Sequence, residues 1–467
     1  MFGQIFSTFR NSFKVEELRQ RIIFTATLLL TCRFIAIIPI PGLDGAQLAE
    51  FLAEQASNQQ SGNVLGLFNV FTGGALARCA VGSLGIMPYI TATIIIQLLS
   101  AVIPQLSKLS REEGGRVTIM RYSRILTVLL CLGQGAVMSL GWLNPGALFN
   151  GFEGQLVIVQ NKFLYVAQTT IFLTAGTMLL LWLGEQITER GVGNGISLVI
   201  TIGIISGLPM TFAQLNNMFF PPEGTTSNYH LLHAVALVAL LIGVVAAVIA
   251  VTQAVRKIPV QYAQRSVGRK VVPGGSSYMP LRVNMAGVMP IIFAQAILMF
   301  PEQLFSTIGR NFDIGFFLSL GRAFSAGSLV YILTYSLMIL FFSYFWVSTQ
   351  FNEIQISDDL KRNGGYIPGV RPGKPTTTFL HNTMSRITLA GAIFLTIIAI
   401  IPLMLSSSLK IPFAVSQFFG GTSILITVGV MLDTTRQLES YLMQRHYDGF
   451  SKKGKGTGRG PRLRGRS

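Results

Sequence analysis

Four histidines, His230, His233, His381 and His446, are the first residues whose type suggests chemistry. His230 and His233 are three apart, as two metal ligands on one helix face would be, but no third ligand follows, and they flank an apolar run. They read as ordinary interfacial histidines. Cys32, Cys79 and Cys131 lie in or beside apolar segments without metal-ligand spacing. They cannot all pair, so no disulfide framework is expected. No paired carboxylates, G-x-S-x-G, H-E-x-x-H or G-x-x-x-x-G-K-[ST] occurs. No catalytic residue, metal or cofactor is therefore expected, and the chain reads as a non-enzyme.

Carboxylates buried in membrane spans would point to an ion-coupled transporter, because the coupling ion needs a charged partner. The apolar cores contain none. Glu185 and Glu189 fall in W-L-G-E-Q-I-T-E-R-G-V-G-N-G-I-S, and Asp433 follows the last apolar run. Glu189 and Arg190 read equally as a local charge pair at a helix end.

The elements that must position these residues are apolar. Of 467 residues, 50% are hydrophobic and 12% charged, the composition of a polytopic membrane protein. Uncharged runs such as Phe163–Leu183, Leu231–Val251, Leu329–Val347 and Ile387–Leu405 suffice to cross a hydrocarbon layer of about 30 Å. Ten spans are predicted, at 22–38, 85–103, 125–143, 163–183, 196–212, 231–251, 283–300, 329–347, 387–405 and 418–432. The first lacks an A-x-A-like cleavage site and reads as retained. An even number of spans puts both termini on one side. Lys and Arg cluster in the N-terminus, the second-to-third, sixth-to-seventh and eighth-to-ninth connections, and the tail. Only Lys162, Arg310, Arg322 and Lys410 fall opposite, with Arg33 and Arg78 at or near membrane depth. Both termini are thus expected in the cytoplasm, and the net charge of +17 is cytoplasmic charge.

The expected organisation is a cytoplasmic segment 1–21, an N-terminal half 22–213, a C-terminal half 214–440 and a basic tail 441–467. The tail has almost nothing apolar to bury and is expected to be disordered and attracted to anionic lipid or RNA. Connections 256–282 and 348–386 are long, charged and rich in Pro and Gly, as functional or disordered loops are.

The stretch L-F-N-V-F-T-G-G-A-L-A-R-C-A-V-G-S-L-G-I-M-P-Y-I, Leu67–Ile90, suits neither water nor lipid. Asn69, Gly73, Gly74 and Arg78 interrupt it before a full span begins. Ile86 and Ile90 are four apart, as are Ile196 and Ile200, so each pair shares a helix face. Spacing alone fits lipid-facing or packing residues equally well.

The strings I-P-I-P-G (38–42), F-T-G-G-A-L (71–76), G-I-M-P-Y-I (85–90), I-I-I-Q-L-L (94–99), the 182–197 string above, V-N-M-A-G-V-M-P (283–290), G-V-R-P-G (369–373) and F-G-G-T-S (419–423) closely resemble the bacterial SecY family, in order from the first span to the tenth. The resemblance implies an all-α polytopic membrane protein with ten transmembrane helices. They would form two pseudo-symmetric inverted halves around an hourglass pore. It implies a plug near 64–78, carrying Leu67, Phe68, Asn69, Phe71, Gly73 and Gly74. It implies a pore ring of Ile86, Ile90, Ile196, Ile200, Ile292 and Ile426, and a lateral gate with polar positions Gln97 and Asn284. Arg269, Lys270 and Arg371 match contacts to a motor ATPase or the ribosome.

The family's function would then be expected: a protein-conducting channel that passes unfolded secretory polypeptides and releases hydrophobic segments sideways into lipid. The implied partners are the small membrane subunits SecE and SecG, the motor ATPase SecA, the ribosome, signal-sequence-bearing polypeptides and anionic lipids. The implied location is the bacterial plasma membrane, with a thylakoid membrane as the alternative. The rivals are a secondary transporter, which needs a midplane ionisable pair, and an insertase or scaffold without a continuous pore.

Overall fold

A helix lies on every predicted span in the structure, a computed structural model. It describes residues 13, 15–57, 69, 71–111, 114–145, 152, 154–159, 161–220, 231–262, 265–267, 270–272, 275–311, 315–325, 328–409, 411 and 413–454. The helices up to Phe219 are α1 (Glu16–Ile35), α2 (Ala46–Ser57), α3 (Met87–Val102), α4 (Pro104–Arg111), α5 (Gly115–Leu143), α6 (Lys162–Arg190), α7 (Gly195–Ser206) and α8 (Leu208–Phe219). Then come α9 (Leu231–Gln253), β1 (Val255–Tyr262), β2 (Arg265–Val267), β3 (Lys270–Val272), β4 (Ser276–Arg282), α10 (Met289–Asn311) and α11 (Gly315–Ala323). The chain continues through α12 (Leu329–Gln350), α13 (Glu353–Arg362), β5 (Gly365–Tyr366), α14 (Lys374–Leu409), α15 (Phe413–Gly420) and α16 (Thr422–Gly454).

Among the described residues six helical stretches are long and apolar enough to cross a membrane: Val117–Leu143, Lys162–Arg190, Gly195–Phe219, His233–Gln253, Leu329–Arg362 and Lys374–Ile401. Met87–Val102 and Met289–Leu298 are shorter apolar helices. Their starts are written in the sequence. Asn161, Asn194 and Ser328 accept backbone N–H groups at the N-termini of α6, α7 and α12. Glu16 and Glu17 sit in the first turn of α1, where negative charge suits the exposed N–H groups. Large apolar side chains such as Leu129, Ile171, Ile242, Leu333 and Leu337 are exposed. Hydrocarbon tolerates such a surface and water does not.

Two expectations need correction. The seventh span was expected to start at residue 283, but α10 begins at Met289, after Gly287 at φ +63°. Asn284 therefore precedes the helix. The tail was expected to be disordered from 441, but α16 runs to Gly454. Tyr441 and Leu442 pack with Leu438, Leu18 and Val192, so helical apolar spacing carries the helix past Asp433. Residues 455–467 lie outside the described residues.

The described parts of the two long connections also fold. β1 pairs antiparallel with β4 from Val255↔Arg282 to Gln261↔Ser276, and with β5 at Gln261↔Tyr366 and Tyr262↔Gly365. Tyr366 donates its hydroxyl proton to Gln261 Oε1 at 2.9 Å. Ile258 and Val260 alternate inward from β1, and Ile258 joins Leu281, Phe351, Ile367 and Leu380 in a separate apolar core.

The turn 191–194 joins α6 to α7 across very close backbones. A Cβ on Gly195 would lie 1.9 Å from Gly184 O and 2.8 Å from Ile187 Cβ. On Gly184, its first neighbour would be Ile196 Cγ1 at 3.5 Å, an ordinary contact. Gly195→Ala is expected to destabilise the protein by about 1–3 kcal/mol, as overpacking does. Gly184→Ala is expected to leave stability close to the parent's. Thermal unfolding of the detergent-solubilised protein checks both, and equal effects would contradict this packing.

Candidate functional site

Five of the six predicted isoleucines are buried in one large apolar cluster, and the sixth packs against it. Ile86 caps the start of α3 and Ile90 lies in its first turn, 5% and 6% exposed. Ile200 on α7, Ile292 on α10 and Ile426 on α16 are buried in the same apolar cluster, and Ile196 packs against it. These side chains arrive from helices far apart in the chain. β-branched side chains hold their rotamers and offer water no hydrogen bond.

Cavities open on two sides of this cluster. One, of about 240 Å³, lies among Asn194, Ser197, Arg282, Asn284, Asp433 and Arg436. Its lining mixes these polar and charged residues with apolar ones such as Trp346, Phe394 and Leu395, at the end of α7 that starts from the 191–194 turn. The other, of about 30 Å³, lies among Arg33, Phe71, Thr72, Ile86, Ile200 and Gly203. The predicted plug segment lines this second one.

Leu67 and Phe68 lie outside the described residues. The rest of the predicted segment is held by its own polar atoms. Gly74 N–H donates to Asn69 O at 2.8 Å, and Asn69 Oδ1 accepts Ala77 N–H at 3.0 Å. Thr72 Oγ1 donates to Asn69 O at 3.2 Å. Gly73 and Gly74 adopt φ +67° and +83°, where a side chain is strained. Ser83 Oγ ties the following turn through Ala75 O at 3.0 Å.

Two polar contacts here escaped sequence reasoning. Arg33 on α1 donates from both Nη1 and Nη2 to Gly73 O at 3.2 Å. Gln295 Nε2 on α10 donates to Thr422 Oγ1 on α16 at 3.2 Å, in a buried bond. Their only sequence signals are a lone cation in an apolar span and a Gln three residues after Ile292, on the same helix face.

Of the two predicted lateral-gate positions, Gln97 lies on α3, and its Oε1 is buried without a hydrogen-bond partner among the described residues. Asn284 precedes α10 and lines the larger cavity, and a Cβ on Gly391 of α14 would come within 3.8 Å of its Cα.

Of the predicted cytoplasmic contacts, Arg269 lies outside the described residues, and Lys270 opens β3. Arg371 is exposed between Gly369 at φ +84° and Gly373 at φ +99°. Its carbonyl accepts Thr376 Oγ1 at 2.9 Å, and Ser357 Oγ donates to Gly373 O at 3.0 Å, so the turn is pinned on both sides. Among the described residues no group of three or more His, Cys, Asp or Glu could hold a metal.

Fold and burial together define a multi-pass helical membrane protein whose central helices meet in one closed apolar cluster. A SecY family model matches residues 80–435. Protein translocase subunit SecY of Chlamydia muridarum is 40% identical over 461 residues, 97% of this chain and 100% of the relative. That of Escherichia coli K12 is 38% identical over 446 residues, 95% and 96% of the two chains. The chain belongs to the SecY family. Its fold is similar to "The structure of a protein conducting channel" (TM-score 0.61, 18% identity, 92% and 94% covered). It is also similar to Sec61 in the canine ribosome-channel complex (TM-score 0.56, 16% identity, 92% and 94% covered).

Gln295 Nε2 has a hydrogen-bond partner and Gln97 Oε1 has none among the described residues, so their substitutions should differ. Thr422→Val orphans the Gln295 amide and is expected to destabilise the protein by about 1–3 kcal/mol. Gln97→Leu removes an acceptor that already lacks a partner and is expected to be neutral or stabilising. Thermal unfolding of both variants decides; a larger loss for Gln97→Leu would reverse this reading.

Proposed function

We propose that this chain is the channel subunit of a protein translocase, with its constriction at Ile86, Ile90, Ile196, Ile200, Ile292 and Ile426. The convergence of these six side chains into one apolar cluster, with cavities on two sides, carries the reading. An ion entering such a collar loses hydration and meets no polar wall, which costs many kcal/mol. The collar closes by excluding water. An extended polypeptide can part it, because apolar contacts have no direction and reform around any side chain.

The described part of the plug, with Asn69, Phe71, Gly73 and Gly74, sits beside Ile86 and Ile200 and closes the smaller cavity from one side. Helices α3 and α10 form the side opening, marked by Gln97 on α3, with Asn284 just before α10. The chain has no motif for nucleotide or covalent chemistry, so it acts as a passive conduit and not as an enzyme. Work comes from a partner, a SecA-type motor ATPase or a translating ribosome. The substrates are signal-bearing polypeptides, and SecE and SecG complete the channel. Two structural relatives are described with a ribosome: the canine Sec61 complex and the yeast Ssh1 complex.

The β1–β4–β5 sheet and the pinned Arg371 turn form a cytoplasmic platform for motor or ribosome, with Arg269 and Lys270 in the first connection. Both termini lie in the cytoplasm, and the basic tail meets anionic lipid. The membrane is the bacterial plasma membrane. The proposed division into halves at 213/214 falls inside α8, ahead of the connection 220–230 to α9.

Ile200→Asn or Ile426→Asn is expected to raise small-ion leak from proteoliposomes containing the reconstituted protein and to let substrates with defective signals cross. An insertase without a continuous pore would show neither effect. Arg371→Glu is expected to reduce motor-driven export at least several-fold more than ribosome-linked insertion. Matched protease-protection assays test this, and equal loss of both would remove the special role of Arg371.

A further inference from the structure

We infer that Arg33 is the latch of the plug: a cation on α1 that seats the segment by gripping one peptide carbonyl and lets go when a chain passes. This rests on the plug reading above and names the contact on which that plug turns.

Arg33 stands in L-L-L-T-C-R-F-I, an apolar stretch of α1 in which a cation requires a partner. No carboxylate pairs with it among the described residues; their ion pairs lie elsewhere. Its partner is Gly73 O, which receives both Nη1 and Nη2 at 3.2 Å. Ser206 Oγ, on α7, lies 3.4 Å from the same oxygen, although its proton is better placed on Gly203 O at 2.7 Å.

The backbone is shaped around this contact. A Cβ on Gly73 would lie 2.2 Å from Arg33 Nη1, 2.8 Å from Ser206 Oγ and 3.1 Å from Gly203 Cα. A Cβ on Gly203 would lie 2.7 Å from Phe71 O. Two glycines, one on the segment and one on α7, therefore allow the carbonyl to reach the guanidinium. Arg33 also lines the small cavity with Ile86 and Ile200, so the grip sits at the constriction itself.

The choice of acceptor makes the latch reversible. A neutral carbonyl gives a charge-assisted bond, stronger than an ordinary one. Unlike a buried carboxylate, it leaves no second charge stranded when it departs. The freed guanidinium then faces the opened, wetter passage, and the freed carbonyl can rotate to water. Exposed Arg78, near the same segment, adds positive charge on that side and supplies no competing acceptor side chain.

The test uses the full-length chain with its copurifying subunits, reconstituted in proteoliposomes, with chloride efflux measured at rest. Arg33→Gln is expected to raise the resting leak about tenfold, the scale of losing one hydrogen bond to a charged group. Gly203→Ala pushes the segment off its seat without touching the guanidinium and is expected to do the same. The double variant should leak no more than the leakier single, because both undo one contact. Arg33→Lys, with a single donor point in place of a fork, should fall between parent and Arg33→Gln, and it decides the matter if Arg33→Gln does not accumulate. An unchanged leak in the Arg33 variants, or effects that multiply in the double variant, overturns the latch. Deleting residues 69–74 separates the two readings. A leak raised by the deletion but not by the Arg33 variants removes the latch alone, whereas no leak from the deletion removes the plug.

Discussion

A passage through a membrane can be sealed tightly and still open easily only if its seal has no directional bonds. Apolar contact meets that condition. Each carbon pair contributes about 0.1–0.2 kcal/mol, and no single contact must survive for the rest to hold. The centre of this chain follows that rule. Ile90, Ile200, Ile292 and Ile426 belong to one cluster that also takes Leu180, Tyr335 and Leu395 from surrounding helices. Everything polar near it is arranged by how readily it must be broken.

That arrangement is uneven. At the 191–194 turn the hydrogen bonds are well made: Thr25 Oγ1 on α1 accepts Val192 N–H at 3.0 Å, and Gln437 Oε1 on α16 accepts Gly193 N–H at 2.9 Å. Arg21 sits 5.2 Å from the ring centroid of Tyr441, over its face, alongside the Leu18, Val192 and Leu438 contacts. This joint ties α1, the α6–α7 turn and α16 together. The α3–α10 side differs, with Gln97 Oε1 and Gln295 Oε1 both buried and unpartnered among the described residues. Parting two surfaces costs least where hydrogen bonds are already missing, and an entering polar backbone can supply the absent donors. The 191–194 turn is thus braced, while unpartnered buried polar atoms lie on α3 and α10 and also at Trp142, Tyr165 and Gln214 among the described residues.

The spans were legible because a helix in hydrocarbon must satisfy its backbone internally and be apolar along its length. The constriction was not legible from periodicity. Leu333 and Leu337 are four apart and stand 61% and 66% exposed, whereas Ile86 and Ile90, with the same spacing, are 5% and 6% exposed. Period marks a face and says nothing about what the face meets, so those positions came only from family likeness. The start of α10 was missed because V-N-M-A-G-V is as apolar as a helix while Gly287 turns the chain. Arg33 was noticed as a cation at depth, but its partner is a backbone oxygen forty residues away, which no side-chain pattern announces.

The β1–β4–β5 sheet shows the opposite case, in which the signal was present but outweighed. The inward alternation of Ile258 and Val260 is ordinary strand pattern, set among enough Arg, Lys, Pro and Gly to read as loop. Pairing β1 with both β4 and β5 links the two long connections, so a force applied at the Arg371 turn reaches β1 through Tyr366 and Gln261. From β1 the backbone leads directly into α9, and from β4 through Asn284 into α10. Because β1, β4 and β5 share one sheet, a load on that sheet reaches α9 directly and α10 through the six residues that follow β4.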